Sequence, residues 1–266
     1  MNKQQIEELA RYLYDAEMNL TEIEKITIEK APNLTAEEAY QIQNRMTEMK
    51  LADGHKIFAP KLGLTSPAKM KQMNVKDPIY GFVFDYMLVE NNGTFSVDDY
   101  IHARIEPEIS IILKNELQGP GITIDAVEKN VDYVISSVEI IDSRYQNYGF
   151  THPDVIADNT SARGAVYSQT NVKLGEIDLM NEQATLKING EIRAQGQGSA
   201  VLGNPLETIV FLANEMGKKG QAVPAGVPIM TGGMTSAVPV EADDLIEVHF
   251  TTLGTIRIKA TKSISQ

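Results

Sequence analysis

The chain has 266 residues, of which 42% are hydrophobic, so it can bury a substantial core as one large domain or one domain with a small appendage. Its 24 Lys and Arg against 36 Asp and Glu give a formal net charge of −12, and no Lys/Arg-rich stripe offsets it, which argues against binding nucleic acid through the phosphates. Cysteine is absent, which excludes disulfides and thiolate ligands, so any metal must be bound by oxygen or histidine.

The amino-terminal sequence gives no targeting signal. Residues 1–20 form an acidic amphipathic pattern instead of a basic stretch followed by an apolar core, and no run of about 18 apolar residues occurs. We therefore expect neither export nor a membrane span, and the lack of cysteine fits the cytoplasm.

Two helices are predicted within residues 1–55. Hydrophobic residues recur at helical spacing in 6–13 and again in 39–49. The second helix has a start signal, because Thr35 can cap it and Glu38 follows three residues later. We expect this helical segment to pack on the main domain.

The pattern changes to short β-like runs over 56–266, which predicts that this part is mainly β and that the whole chain is of the α+β class. Asn189-Gly190 lies between two alternating runs and predicts a hairpin, because this pair suits a turn with two positive φ angles. A second hairpin is expected within 245–260, and one more helix within 204–216.

The run RIEPEIS (104–110) contains two acids in a β-like segment. Side chains alternate along a strand, so Glu106 and Glu108 share one face, where they repel each other unless a cation lies between them. Glu139 lies in another β-like run, and three carboxylates from neighbouring strands suit a hard cation such as Mg²⁺. A second interpretation stays open, in which these acids form the solvent face of an edge strand marked by Pro107.

Six sequence blocks carry a family resemblance. They are KLGLTSPAKMKQMNV (61–75), IEPEISIIL (105–113), VEIIDSRYQNY (138–148), VIADNTSAR (155–163), GSAVLGNP (198–205) and MTGGMTSAVPVEADD (230–244). In this order they resemble the fumarylacetoacetate-hydrolase-like enzymes of the meta-cleavage pathway for aromatic compounds, over roughly residues 50 to 255. Within that superfamily the chain is similar to the branch of decarboxylases and hydratases, and IEPEI, IIDSRY and ADNTS favour the decarboxylases.

The resemblance implies a fold, a cofactor and a reaction. The fold is a mixed β-roll with N-terminal helices and the site in its mouth, and the cofactor is Mg²⁺ or Mn²⁺ held by Glu106, Glu108 and Glu139. The implied enzyme is a carboxy-lyase that converts a small 2-oxo dicarboxylate, 2-oxohex-3-enedioate, to 2-hydroxypenta-2,4-dienoate and CO₂. Two alternatives are a hydratase that adds water to this dienol and a non-catalytic subunit that stabilises a partner. A homo-oligomer and a complex with the pathway hydratase are also expected.

The resemblance further implies roles for single residues. The predicted catalytic residues are Lys61, Arg144, Asp158 and Ser161, and the predicted substrate-binding residues are Leu62, Gly233 and Thr235. Structural alternatives stay open for five of them: a surface lysine for Lys61, an Arg–Asp ion pair for Arg144, polar residues that stabilise a turn for Asp158 and Ser161, and a tight turn for Gly233.

The four histidines show no ligand spacing, and we assign none of them to the metal. His55 precedes the block that begins at Lys61. Because the hydrolase branch of the superfamily uses a lid histidine to activate water, the resemblance also leaves a C–C hydrolase open.

Overall fold

The computed structural model describes residues 1–263, the side chains of Lys69 and Gln72 excepted. Within this part of the chain, two long helices precede all of the strands. The helices are α1 (Lys3–Met18), α2 (Ala36–Ala52), α3 (Pro67–Gln72), α4 (Ile124–Asn130), α5 (His152–Ala157) and α6 (Leu206–Lys218). The strands are β1 (Ile57–Gly63), β2 (Ile79–Phe84), β3 (Leu88–Val89), β4 (Thr94–Ser96), β5 (Arg104–Leu113), β6 (Val131–Ile141), β7 (Ala162–Tyr167), β8 (Gln183–Ile188), β9 (Glu191–Gln197), β10 (Pro228–Gly233), β11 (Val238–Pro239), β12 (Leu245–Phe250) and β13 (Gly254–Thr261).

The strands form two mixed sheets. The larger sheet has the order β2-β1-β10-β5-β6-β7-β3, with β11 paired to the start of β5, and the smaller sheet has the order β4-β13-β12-β8-β9. Most neighbours are antiparallel, whereas β1 with β10, β3 with β7 and β4 with β13 are parallel. The predicted α+β class with a mixed β-roll is confirmed.

The main hydrophobic core lies against one face of β5. Ile105, Ile109 and Ile111 point into it and are fully buried, and burial of each such side chain is worth about 1.5–3 kcal/mol. Strand alternation then forces Glu106 and Glu108 onto the other face. The core therefore fixes the orientation of the two acids.

β5 is an interior strand between β10 and β6, so the edge-strand interpretation is wrong. Glu106 is 6% exposed and Glu108 is 0% exposed. Pro107 is tolerated there because β10 has a register shift between Met230 and Gly233 beside it, and prolines inside sheets occur at such irregularities.

Helices α1 and α2 pack around α5. A second hydrophobic cluster joins α1 and α2 to Tyr145 and to the buried face of α5. The predicted capping box is present, since Thr35 Oγ1 accepts from the Glu38 N–H at 3.2 Å and Glu38 accepts in return from the Thr35 N–H at 3.1 Å. None of the helices in the described part of the chain is long and apolar enough to cross a membrane.

The predicted hairpins and the late helix are confirmed. Asn189 and Gly190 join β8 to β9 with φ angles of 53° and 83°, and β12 pairs with β13. α6 begins at Leu206, whose N–H donates to Asn204 Oδ1 at 3.0 Å.

Candidate metal centre and substrate cavity

Three buried carboxylates meet on β5 and β6. Glu106 and Glu139 are directly opposite each other in the β5–β6 ladder, and Glu108 lies two residues further along β5. One oxygen from each of the three carboxylates lies within 4.8 Å of the others. We call Glu106, Glu108 and Glu139 the acidic triad.

The oxygen atoms of the acidic triad suit a divalent cation. Glu108 Oε2 accepts from the Gly232 N–H at 2.8 Å, but Glu108 Oε1 and Glu139 Oε2 are buried and accept no hydrogen bond from the described residues. Burial and the charge of Glu139 raise the pKa of Glu108 well above its usual range, and burial also raises the pKa of Glu139. A bound cation would offset both the burial of these charges and the repulsion between them. Mg²⁺ prefers carboxylate oxygens as ligands and leaves coordination positions open to substrate.

These pKa shifts predict how the protein responds to pH. The pKa of Glu108 and the pKa of Glu139 are higher in the folded than in the unfolded chain, so both acids stay protonated to a higher pH when the protein is folded. The free energy of unfolding of the metal-free protein therefore falls as pH rises above the usual glutamate pKa. Mg²⁺ must displace those protons, so the rise in Tm that Mg²⁺ causes relative to EDTA is expected to grow between about pH 5 and about pH 8. Thermal unfolding over this range measures it, and an increment that does not change with pH would contradict the prediction.

Lys61 is buried next to the acidic triad, so the surface-lysine interpretation is wrong. It is 2% exposed, its Nζ lies 2.9 Å from Glu139 Oε1, and it donates to the Thr160 carbonyl oxygen at 3.1 Å. The strand β1 carries it there because β1 pairs with β10, next to β5. The result is a fixed ammonium group beside the carboxylates.

A cavity of about 490 Å³ opens at Lys61 and Glu106. One part of its wall is apolar, which favours exclusion of water around a bound ligand. The apolar lining comprises Leu64, Met73, Ile79, Ile141, Phe150, Val155 and Ala237, and the remaining lining residues are Lys25, Gly63, Arg104, Tyr148, Gly149, Thr160, Ser161 and Ser236.

Thr160 and Ser161 line this cavity, and each carries a hydroxyl group. Both oxygens are buried and have no hydrogen-bond partner among the described residues. Asn159, Thr160 and Ser161 all have positive φ angles, of 47°, 56° and 56°, and such strained backbone is characteristic of ligand sites. The predicted Ser161 thus lies at the cavity, while Thr160 was not predicted.

Arg144 and Asp158 form a buried ion pair instead of lining the cavity. Arg144 Nε donates to Asp158 Oδ1, and Arg144 Nη1 donates to the carbonyl oxygens of Asp142 at 2.7 Å and Ala162 at 3.2 Å. Both side chains are almost completely buried, which agrees with the ion-pair interpretation of the sequence, and a catalytic role for either residue stays a prediction. Arg144 thus donates hydrogen bonds to Asp158 and Ala162, the two ends of the turn that carries Thr160.

The three predicted substrate-binding residues have different outcomes. Leu62 is fully buried in the hydrophobic core and does not line the cavity, because strand alternation turns it away from the side of Lys61. Thr235 is not among the lining residues either, and its hydroxyl donates to the Ser236 carbonyl oxygen at 2.9 Å. Gly233 lies against the acidic triad.

Gly233 sets the position of Glu106. A Cβ atom on Gly233 would lie 2.7 Å from Glu106 Oε2, so Gly233→Ala is expected to displace this carboxylate and lower Mg²⁺ affinity by about 10-fold or more. Gly175→Ala is the control, because nothing lies within 4 Å of its added methyl group. Isothermal titration with Mg²⁺ compares the two, and equal affinities would show that Gly233 does not hold Glu106 in its metal-binding position.

His55 lies outside the cavity. Its Nδ1 is 3.7 Å from Asp85 Oδ1 and its ring packs against Tyr86. Among the described lining residues there is no histidine, so the interpretation as a C–C hydrolase loses the residue that suggested it.

Comparisons with known proteins place the chain in a family. The model for "Fumarylacetoacetate (FAA) hydrolase C-terminal" matches residues 67–260. The chain is 41% identical to a 4-oxalocrotonate decarboxylase of Pseudomonas putida over 96% of this chain and 97% of that protein. It is 32% identical to a 2-hydroxyhexa-2,4-dienoate hydratase of Comamonas testosteroni over 98% and 99%. Its structure matches that of 4-oxalocrotonate decarboxylase from Pseudomonas putida G7, complexed with magnesium and adipate, with a TM-score of 0.95, 41% identity and 98% coverage of both chains.

Proposed function

This chain belongs to the fumarylacetoacetate hydrolase family, and we propose that it catalyses the metal-dependent decarboxylation of 2-oxohex-3-enedioate (4-oxalocrotonate) to 2-hydroxypenta-2,4-dienoate and CO₂. The observation that carries the proposal is the buried acidic triad with Lys61 beside it at one end of the cavity. Full-length similarity to a decarboxylase at 41%, against 32% to a hydratase, supports this reaction over hydration.

The residues of the site suit the binding of a 2-oxo acid. Glu106, Glu108 and Glu139 would hold Mg²⁺, which would supply positive charge to stabilise negative charge on the ketone oxygen of the substrate. Lys61 adds a second, fixed positive charge, and the hydroxyl of Ser161 can donate a hydrogen bond to a substrate oxygen. These groups orient the reacting 2-oxo acid without forming a covalent bond to it.

Decarboxylation needs a group that accepts the electron pair of the broken C–C bond and a group that donates one proton to the product. The C5–C6 bond breaks and its electron pair forms the C4=C5 bond, the C3=C4 pair moves to C2=C3, and the ketone pair comes to rest on the C2 oxygen. CO₂ leaves, and the dienolate takes up one proton to give the dienol. Lys61, which is buried and ion-paired, stabilises the developing oxyanion and is positioned to supply that proton.

The test is to add purified protein and Mg²⁺ to 2-oxohex-3-enedioate and to follow CO₂ release and the ultraviolet absorption of the dienol, with EDTA as control. Metal-dependent CO₂ release is the expected result. Consumption of 2-hydroxypenta-2,4-dienoate without CO₂ release would instead identify a hydratase. Mg²⁺ binding with turnover of neither compound would identify a non-catalytic subunit.

Three further properties are proposals. A cytoplasmic location is supported by the absence of cysteine, whereas a homo-oligomeric state and association with the hydratase that consumes the product rest on the family resemblance. Size-exclusion chromatography with light scattering, on the protein alone and mixed with that hydratase, tests the last two.

A further inference from the structure

The cavity contains a cation that the chemistry above does not use. Arg104 is the first residue of β5, two residues before Glu106, so strand alternation places both side chains on one face. Both also line the same cavity. Arg104 Nε is buried and has no hydrogen-bond partner among the described residues, and no carboxylate of the described part of the chain forms an ion pair with it. A partly buried cation that no acid of the described chain neutralises, although the net charge of the chain is −12, suits an anionic ligand.

Tyr148 provides a platform for the guanidinium of Arg104. The Arg104 Cζ lies 3.9 Å from the centroid of the Tyr148 ring, a distance at which arginine stacks on an aromatic face. The Tyr148 hydroxyl shares its one proton between the carbonyl oxygens of His102, at 2.8 Å, and Ile141, at 3.1 Å, which fixes the ring. A stacked guanidinium keeps its edge N–H groups available, and this edge matches a carboxylate in bidentate fashion.

We propose that Arg104 binds the distal carboxylate of the substrate, the one that is lost as CO₂, and thereby makes the enzyme select dicarboxylates over monocarboxylates. The inference rests on the function proposed above. Two residues along a strand span about 7 Å, so the acidic triad and Arg104 provide two separate anchoring points for one extended six-carbon chain.

The contact with Arg104 has a distinct kinetic signature. A carboxylate loses its negative charge as it becomes CO₂, so its interaction with the guanidinium is strongest in the bound substrate and weakens toward the transition state. Such an interaction lowers KM without raising kcat. It also holds the distal group ionised, which loss of CO₂ requires, since the electrons of the C5–C6 bond are released from a carboxylate.

Binding of two saturated acids to the Mg²⁺-loaded protein tests the proposal. Adipate and hexanoate have the same chain length and differ in one carboxylate, so isothermal titration with both isolates the distal contact. Arg104→Gln is expected to weaken adipate binding by about 10- to 100-fold and to leave hexanoate and Mg²⁺ binding unchanged. Arg104→Lys should recover part of the adipate affinity. KM for 2-oxohex-3-enedioate should rise by a factor similar to that for adipate, with kcat within a few-fold of the wild type.

Two further variants make the assignment to Arg104 specific. Arg163→Gln removes an arginine that also lies over tyrosine rings, at 5.7 Å from Tyr86, but does not line this cavity, so adipate binding should not change. Lys25→Gln removes the third cation that lines the cavity, besides Arg104 and Lys61. If Lys25→Gln abolishes the preference for adipate and Arg104→Gln does not, the inference is overturned.

The inference and the proposed function fail in different ways. Wild-type protein that releases CO₂ while Arg104→Gln keeps its KM and its preference for adipate refutes the role of Arg104 alone. Wild-type protein that releases no CO₂ refutes the proposed function. An equal loss of adipate and hexanoate affinity in Arg104→Gln also overturns the inference, because it would show a general disturbance of the cavity.

Discussion

Glu108→Gln is expected to lower activity by about 10²- to 10³-fold and to remove most of the Mg²⁺ affinity. The amide offers one oxygen and no charge, and that oxygen can still accept the hydrogen bond from the Gly232 N–H. The variant should therefore fold with an intact cavity but without a charged metal ligand at the centre of the acidic triad. Calorimetric titration with Mg²⁺ and the CO₂ assay measure the two losses separately.

The same substitution should stabilise the metal-free protein. Glu108 is fully buried and close to two other acids, so its charge costs free energy when no cation is present. In EDTA at neutral pH the Tm of Glu108→Gln should exceed that of the wild type, and the order should reverse in saturating Mg²⁺. Glu191→Gln, on an exposed strand, is the control and should change neither Tm nor activity measurably. Full Mg²⁺-dependent activity in Glu108→Gln would show that it is not a ligand.

The features predicted from the sequence are those that short-range rules determine. The period of two along β5 places Glu106 and Glu108 on one face whatever else the fold does. The capping box at Thr35 and the turn at Asn189-Gly190 depend only on residues within a few positions of one another. These predictions are confirmed because tertiary packing agrees with the local preference.

Other features depend on contacts between distant segments, and the sequence could not supply them. Whether Glu106 faces solvent or interior depends on β10, more than 120 positions later, being its neighbour. Leu64 lines the cavity and Leu62 does not, because β1 ends at Gly63 and Leu64 lies beyond the strand. Arg104 lines the cavity and was not predicted to do so, although its position two residues before Glu106 was the signal that could have identified it.

The buried charges follow one arrangement. Outside the acidic triad, the buried acids of the described chain include Glu17 and Asp158, which are matched by Lys50 and Arg144. In the acidic triad, Lys61 pairs with Glu139, whereas Glu108 Oε1 is buried and accepts no hydrogen bond from the described residues. Since a buried carboxylate oxygen without a partner is costly, Glu108 is the acid that most favours a divalent cation here, and it distinguishes the site from the structural ion pairs.

Lys61→Met is expected to reduce kcat by about 10²- to 10⁴-fold while Mg²⁺ binding is retained. The substitution removes the ammonium group beside Glu139 but leaves all three carboxylates of the acidic triad in place. Without that ammonium the developing oxyanion loses a fixed positive charge and a proton source. Lys61→Arg, which keeps the charge, should retain more kcat than Lys61→Met.

Lys50→Met is the matched control for Lys61→Met. Lys50 is as buried as Lys61, and its Nζ lies 2.7 Å from a buried glutamate, Glu17, but it does not line the cavity. Breaking either ion pair should destabilise the fold by about 3–5 kcal/mol, so kcat is compared at a temperature at which both variants are folded by circular dichroism. A selective loss of kcat in Lys61→Met assigns Lys61 to catalysis. If both variants lose kcat only in proportion to their folded fractions, Lys61 is a structural partner of Glu139.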